Sequence, residues 1–447
     1  NDASYGALFE EAGIVRAETA EELFLLARAF SLAPLPSGNN VAILTNAGGP
    51  GVLSADAAIG TGLSLASFSD ETTAELRAFL PSASSVKNPV DILGDAKSDR
   101  YLRALELILA DPFVHMALVV LTPQSMTDIE EVASRISGSA ERSKKPVVAV
   151  FMGGKLVAGG VKILLRKKIP VIGFPEGGIR MLSALAAFSS SRKEETGIEY
   201  AYSTLIAPER VDRERAEALF RSVKASGRTE LSPLESLELF SIYGFTVPKY
   251  GQARTAEEAD RAANGIGMPC AVKILSEDIT HKSDAGGILL DVEPKRAGEA
   301  FETLLGRVKQ MAPEARIDGA FLMEMAPKGG IELIAGSFCD SNLGQTLMVG
   351  SGGIYVEILK DAAFGLVPVS RNRAQHMLEK LRIFPILDGA RGGEKYDMSA
   401  VVECIGRLSK LLTDFPSLRE LDINPIIAYP KSSGKKGVIV VDGRVSL

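Results

Sequence analysis

Only three histidines occur in the chain, and one of them stands among residues that suit phosphate chemistry. His281 lies in the run Lys273-Ile-Leu-Ser-Glu-Asp-Ile-Thr-His281-Lys282-Ser283-Asp284-Ala-Gly286-Gly287. Lys273, on a strand-like run, offers a compact positive charge to phosphate. Gly286 and Gly287 would let backbone amides approach phosphate oxygens. A histidine between them could carry a phosphoryl group on a ring nitrogen. Taken alone, such a histidine is more often structural than catalytic. His115, at a strand entry, and His376, in a helical pattern, read as structural or surface residues.

Two further constellations could serve the same chemistry. The turn Thr45-Asn46-Ala47-Gly48-Gly49-Pro50-Gly51 joins a strand pattern to a helix pattern. Gly48, Gly49 and Gly51 would bring backbone amides and a helix N-terminus to an anion, although any strand-to-helix turn can use glycine. Near the end stand Leu421-Asp422-Ile423-Asn424-Pro425 and Val441-Asp442-Gly443. Asn424 and Asp442 offer oxygen ligands of the kind a nucleotide-bound Mg²⁺ takes. Asp and Asn near turns are also ordinary turn formers.

The elements that must hold these residues fall into two styles. Residues 37–190 alternate short apolar runs with amphipathic segments: 41–45, 63–68, 90–93, 116–121, 147–151 and 170–174. That alternation predicts βαβ units and a doubly wound, flavodoxin-like parallel sheet. Residues 1–36 read as two helices, the second opened by a capping box from Thr19 to Glu22. Residues 191–230 read as a linker followed by a charged helix. Residues 231–447 begin with Ser232, Pro233 and Glu235 at N-cap, N1 and N3 of a helix, and Thr255 to Glu258 predicts another capping box. Strand-like runs then dominate, so this part is expected to be α+β.

Composition narrows the classes. Four hundred and forty-seven residues suit several domains, and a net charge of −6 gives no basic excess for nucleic acid. No apolar run reaches the length of a membrane span. Cys270, Cys339 and Cys404 match no zinc spacing, and an odd, low count suits a reducing, cytoplasmic compartment.

Several motifs together, in one order, carry a family resemblance. "HKSDAGG", "VGSGGIYVEILKD" (349–361), "GARGG" (389–393) and "LDINPII…VVDGRV" resemble the ATP-grasp part of ADP-forming acyl-CoA synthetases. "VAILTNAGGPGVLSADA", "SVKNPVDILGDA", "LVVLTPQSMTD" and "KPVVAVFMGG" resemble the flavodoxin-like domain of the same family, to which succinyl-CoA synthetases are more distantly similar. The resemblance covers nearly the whole chain. It implies the interconversion of acyl-CoA, ADP and phosphate with a carboxylic acid, CoA and ATP, through phosphohistidine.

The resemblance also implies roles. His281 matches a histidine phosphorylated in the ATP-grasp part, and Asp422 an acidic residue placed to meet a travelling phosphohistidine. Lys273 matches the lysine that holds nucleotide phosphates, and Glu324 and Met325 the hinge beside adenine. Glu332 matches an acid near the nucleotide; Asn424 and Asp442 match Mg²⁺ ligands. Gly48, Gly49 and Gly51 match a turn that aims a helix at the phosphate site. In the family a histidine-bearing loop and a CoA-binding Rossmann domain precede a helix like "DASYGALFEEAGIVRA", with which this chain opens. The chain is therefore expected to be a C-terminal portion that works with a separate CoA-binding part. Fused members of the family commonly dimerise, so a homo-oligomer is expected. Two other functions fit the same residues: a different ATP-grasp carboxylate ligase, and a non-catalytic nucleotide-binding regulatory module.

Overall fold

The apolar runs of the first half form a six-stranded, wholly parallel sheet. The computed structural model describes residues 2–195, 211–276, 278, 286–353 and 361–447. Two helices come first, α1 (Asp2–Glu11) and α2 (Ala20–Leu32). Strands and helices then alternate: β1 (Asn40–Thr45), α3 (Gly48–Ala58), β2 (Ser64–Leu65), α4 (Asp70–Phe79), β3 (Val90–Asp91), α5 (Ser98–Ala110) and β4 (Met116–Leu121). α6 (Ile129–Arg142), β5 (Val147–Phe151), α7 (Ala158–Arg166), β6 (Val171–Ile172) and α8 (Pro175–Glu195) follow.

The strand order is β2-β1-β4-β5-β6, with β3 also on β1. β2 is shorter than its apolar run because β1 is shared: β2 takes Asn40 and Val41, while β3 takes Leu44 and Thr45. α4 to α7 cover one face, burying Leu76, Leu105, Val132, Ile136 and Leu164. α2, α3 and α8 cover the other, burying Ala29, Ala58, Ile179 and Leu182. Burial on both faces explains why β4 and β5 are apolar at every position rather than at alternate ones. The chain leaves β1 to one side and returns to β4 on the other, so the carboxyl ends of β1 and β4 flank the point where such sheets open a crevice.

The second half is built from antiparallel sheets. Its elements are α9 (Arg213–Ala225), α10 (Pro233–Ile242), β7 (Tyr250–Ala253), α11 (Ala256–Ile266), β8 (Cys270–Leu275), β9 (Ile288–Val292), α12 (Ala297–Met311) and β10 (Gly319–Glu324). Then come β11 (Ile331–Asp340), β12 (Gly344–Ser351), β13 (Ala362–Leu366), α13 (Arg371–Glu379), α14 (Met398–Asp414), β14 (Glu420–Ala428), β15 (Val438–Val440) and β16 (Gly443–Ser446). One sheet runs β7-β10-β8-β9; the other runs β13-β12-β11-β14-β15, with β16 also on β14. Ala259, Ala263, Phe301 and Leu304 of α11 and α12 pack on the first sheet. Phe240 of α10 and Ile405, Leu408 and Leu412 of α14 pack on the second.

The chain divides into two compact units: Phe9–Ile198, and Asn1–Leu8 with Glu199–Leu447. Ser4 of α1 is fully buried in the second unit, where its hydroxyl bonds that of Thr346 at 3.0 Å. The helix starts largely follow the sequence. Ser232 and Glu235 form a reciprocal capping box. Thr19 and Thr255 cap as expected, but Glu22 and Glu258 reach one residue further back, accepting from the Glu18 and Arg254 backbone N–H groups. Residues 354–360 of the motif at 349–361 lie outside the described residues.

Candidate functional site

Lys273 points out of β8 because Val272 and Ile274, its neighbours, face the core of the four-stranded sheet. Its ammonium lies 3.6 Å from Oδ2 of Asp442, in the turn between β15 and β16 of the other sheet. The Gly443 N–H donates to Asp442 Oδ1 at 2.8 Å. The Asn424 N–H donates to the Asp442 carbonyl at 3.1 Å, which holds the two proposed metal ligands side by side. Lys273 is also paired directly with Ile288 of β9, and Gly287 accepts from the Ile274 N–H at 2.8 Å. Gly286 takes a φ of +64°, a left-handed conformation natural to glycine. Lys273, Asn424 and Asp442 are therefore brought together, with Gly287 on the strand beside Lys273, whereas a methyl at Gly286 would meet Arg307 of α12. His281, with Lys282, Ser283 and Asp284, lies outside the described residues.

Asp422 sits on β14, opposite Gly336 of β11 and Arg444 of β16. Strand pairing is close there: a methyl group at Gly336 would stand 2.8 Å from the Leu421 carbonyl oxygen, and 3.6 Å, an ordinary contact, from Asp422 Oδ1. Burial pushes the Asp422 carboxyl above its ordinary range, the charges of Glu420 and Asp442 add to this, and Arg444 opposes it. Arg444 is itself gripped by Glu230 at 2.5 Å and 3.2 Å. Arg444, Glu230 and Glu420 were not singled out in the sequence. The signal for Arg444 was its place two residues after Asp442, on a strand that pairs back on the Asp422 strand.

The remaining site residues are anchored by backbone contacts. Glu324 ends β10, and its Oε2 accepts from the Lys249 N–H at 3.1 Å. The Met325 N–H donates to the Pro269 carbonyl at 3.1 Å. Glu332 lies under the Gly352–Gly353 turn: its carbonyl accepts from Gly352 N–H at 2.8 Å, and its Oε2 is 2.8 Å from where a Gly353 methyl would stand. Gly48, Gly49 and Gly51 belong to the parallel-sheet unit, in the first turn of α3, which has no side-chain cap. A methyl at Gly51 would stand 2.9 Å from Thr45 Cγ2, so close packing requires that glycine. Gly49 has nothing within 4 Å, so packing places no demand on it. The Asn46 side chain ties the β1 and β4 ends together, donating to the Thr122 carbonyl at 2.8 Å and accepting its N–H at 2.9 Å.

His115 accepts the Asn40 N–H on Nδ1 at 3.1 Å, a structural role. Cys270, Cys339 and Cys404 are free thiols, and burial pushes Cys270 up to about 11 and Cys404 up to about 12. Among the described residues no group of three or more His, Cys, Asp or Glu side chains could hold a metal ion. Asp442 and Asn424 alone still suit Mg²⁺, which keeps water and phosphate oxygens as its other ligands. Among the described residues no helix is long and apolar enough to cross a membrane.

Comparison with known proteins agrees with this division of the chain. An ATP-grasp domain model matches residues 222–447, and a Ligase-CoA domain model matches residues 41–190. The second match gives this chain a Ligase-CoA domain, which does not support the expectation that its CoA part is separate. Acetate–CoA ligase (ADP-forming) I of Archaeoglobus fulgidus is 37% identical over 99% of this chain and 62% of its own length. 4-Hydroxybutyrate–CoA ligase (ADP-forming) of Nitrosopumilus maritimus is 36% identical over 100% of this chain and 62% of its own. The β subunit of acetate–CoA ligase (ADP-forming) I of Pyrococcus furiosus is 37% identical over 52% of this chain and 98% of its own length. The chain thus spans about 62% of the length of the two longer relatives.

Proposed function

The chain belongs to the ADP-forming acetate–CoA ligase family, and from that premise we propose that it binds nucleotide and moves phosphate for an acid–CoA ligase. The reaction is acyl-CoA + ADP + phosphate ⇌ carboxylic acid + CoA + ATP, run in the cytoplasm, where all of these are found. The observation that carries the reading is the meeting of Lys273 with Asp442, beside Asn424 and Asp422. Phosphoryl transfer asks mainly for charge neutralisation and in-line placement. Lys273 offsets phosphate charge, and the Gly286–Gly287 amides support the phosphate oxygens. Asn424 and Asp442 would hold Mg²⁺, which supplies further neutralisation of the nucleotide phosphates. Glu324, Met325 and Glu332 line the nucleotide side.

His281 takes and returns the phosphoryl group in this reading. Asp422 accepts the N–H of the incoming imidazole, an interaction that its raised proton affinity favours. Gly48, Gly49 and Gly51 hold inorganic or acyl phosphate at the start of α3. The CoA-binding and further phosphohistidine functions are shared with polypeptide that the longer relatives contain, and a homo-oligomer is the assembly expected.

Mass spectrometry after incubation with Mg-ATP, under conditions that preserve phosphohistidine, tests the reading. An adduct of one phosphate on the parent and none on His281→Ala supports it. Intact ATP binding with no adduct on the parent favours the regulatory-module alternative. Continuous turnover of ATP and a carboxylic acid with no dependence on CoA would favour another ATP-grasp ligase.

A further inference from the structure

The connection from β10 to β11, residues 325–330, starts at the proposed hinge residue Met325 and ends on Gly329 and Gly330, just before Glu332. Its start has an open backbone edge. The Met325 N–H donates to the Pro269 carbonyl, and proline has no N–H to return. Among the described residues, neither the Met325 carbonyl nor the Ala326 N–H has a partner. The next two carbonyls are held by the segment that joins β14 to β15. The Tyr429 hydroxyl donates to the Pro327 carbonyl at 2.7 Å, and the Lys435 ammonium donates to the Lys328 carbonyl at 2.5 Å. The same ammonium lies 5.2 Å from the centre of the Tyr429 ring. A methyl at Gly330 would stand 2.9 Å from Tyr429 Cε1, so the connection lies directly against that ring.

Tyr429 is fixed in turn. It is fully buried, its N–H donates to the Gly437 carbonyl at 2.9 Å, and its carbonyl accepts the Asp397 N–H at 3.0 Å. Asp397 follows the glycine motif at 389–393, and Tyr396 bridges that segment to Pro430. The motif has no part in the phosphate chemistry above; here it leads into the residues that brace the tyrosine.

We infer that Tyr429 and Lys435 are positioning residues for the nucleotide base, holding the 325–330 connection in the shape that the base meets. The inference rests on the proposed hinge at Glu324 and Met325. Neither residue touches the nucleotide in this reading. A connection that ends in two glycines would otherwise lose much conformational freedom when a base orders it. Two carbonyls fixed beforehand remove part of that cost from binding. The phosphates, held by Lys273 and the metal ligands on other strands, gain nothing from the staple. Tyr429 is the stronger anchor, because its side chain is buried whereas Lys435 is exposed to competing water.

Calorimetry with Mg-ADP, and displacement of Mg-ADP by Mg-pyrophosphate, would be run on the parent, Tyr429→Phe, Lys435→Met and Lys435→Arg, with thermal melting to check folding. Tyr429→Phe removes a single hydroxyl and should weaken Mg-ADP binding about tenfold. Lys435→Met should weaken it about threefold, and Lys435→Arg, which keeps a donor, should bind as the parent does. Pyrophosphate has no base and should bind all four proteins within about twofold. Equal weakening of ADP and pyrophosphate would mean general damage to the site, and unchanged ADP binding by Tyr429→Phe would mean that no staple acts. Either result overturns the inference and leaves the proposed function standing. Absence of Mg-ADP binding by the parent overturns the proposed function and the inference together.

Discussion

Asp422 carries a stability cost that its place in the fold explains. Burial comes first, then the Glu420 and Asp442 charges, and all three hold the carboxyl above its ordinary range against the pull of Arg444. The folded state therefore keeps this proton more firmly than the unfolded chain. Ionisation costs stability above the folded-state titration, and the cost disappears as pH falls below the unfolded one. Asp422→Asn should accordingly stabilise the ligand-free protein at pH 7, by about 1 kcal/mol. The gain should shrink as pH falls through the carboxylate range. Urea unfolding at pH 7 and at pH 4 measures both, and a variant weaker than the parent at pH 7 rejects the account. A residue kept at such a cost is the pattern expected of a site that trades stability for function.

At the scale of single elements, the start of α10 shows how much local sequence decides. Ser232, Pro233 and Glu235 give a cap, a first-turn proline and a returning carboxylate, all legible in four residues. Arg228 was not legible in that way, because it reaches Glu235 from outside the helix, at 2.7 Å and 2.8 Å. Its guanidinium is the main reason the Glu235 carboxyl falls to about 2; the Ser232 contacts help and burial opposes. The sign is opposite to that of Asp422: the stabilisation is complete above the ordinary carboxyl range and is lost as pH falls toward 2. Glu235→Gln keeps the shape and the backbone contact but removes the charge. It should cost about 0.5–1 kcal/mol at pH 7 after solvent screening, and the deficit should narrow steadily below pH 5. A deficit unchanged at low pH would assign the role to packing instead.

The same contrast governs the site. Periodicity exposed the strands that carry Lys273 and Asp422, and glycine pairs exposed Gly286 and Gly287. Pairings across sheets left no local trace. Lys273 and Asp442 are far apart in sequence, and only β16 folding back on β14 brings Arg444 to Asp422. The short β2 and β3 were overextended in the sequence because a shared partner strand, not their own apolarity, limits them.

For the whole molecule, the proposed function assigns one kind of anion site to each of the two units. Lys273, Asn424 and Asp442 lie in the antiparallel unit, and Gly48, Gly49 and Gly51 in the parallel one. Nucleotide and inorganic phosphate should therefore protect different amides. Saturating Mg-ADP, at about a hundred times its dissociation constant, adds roughly 2.7 kcal/mol to the state that binds it. Hydrogen exchange should then slow along 270–275, 319–325 and 420–445, the strands that carry the proposed nucleotide residues. Inorganic phosphate alone should slow the amides of Gly48 and Gly49, because α3 begins with no side-chain cap to occupy them, whereas the Gly51 N–H already donates to the Ala47 carbonyl at 3.2 Å. Protection of residues 48–51 by phosphate but not by AMP would identify an anion site independent of the base. If phosphate slows only the strands around Lys273, the α3 turn has no ligand role, and its glycines serve packing, as Gly51 against Thr45 already does.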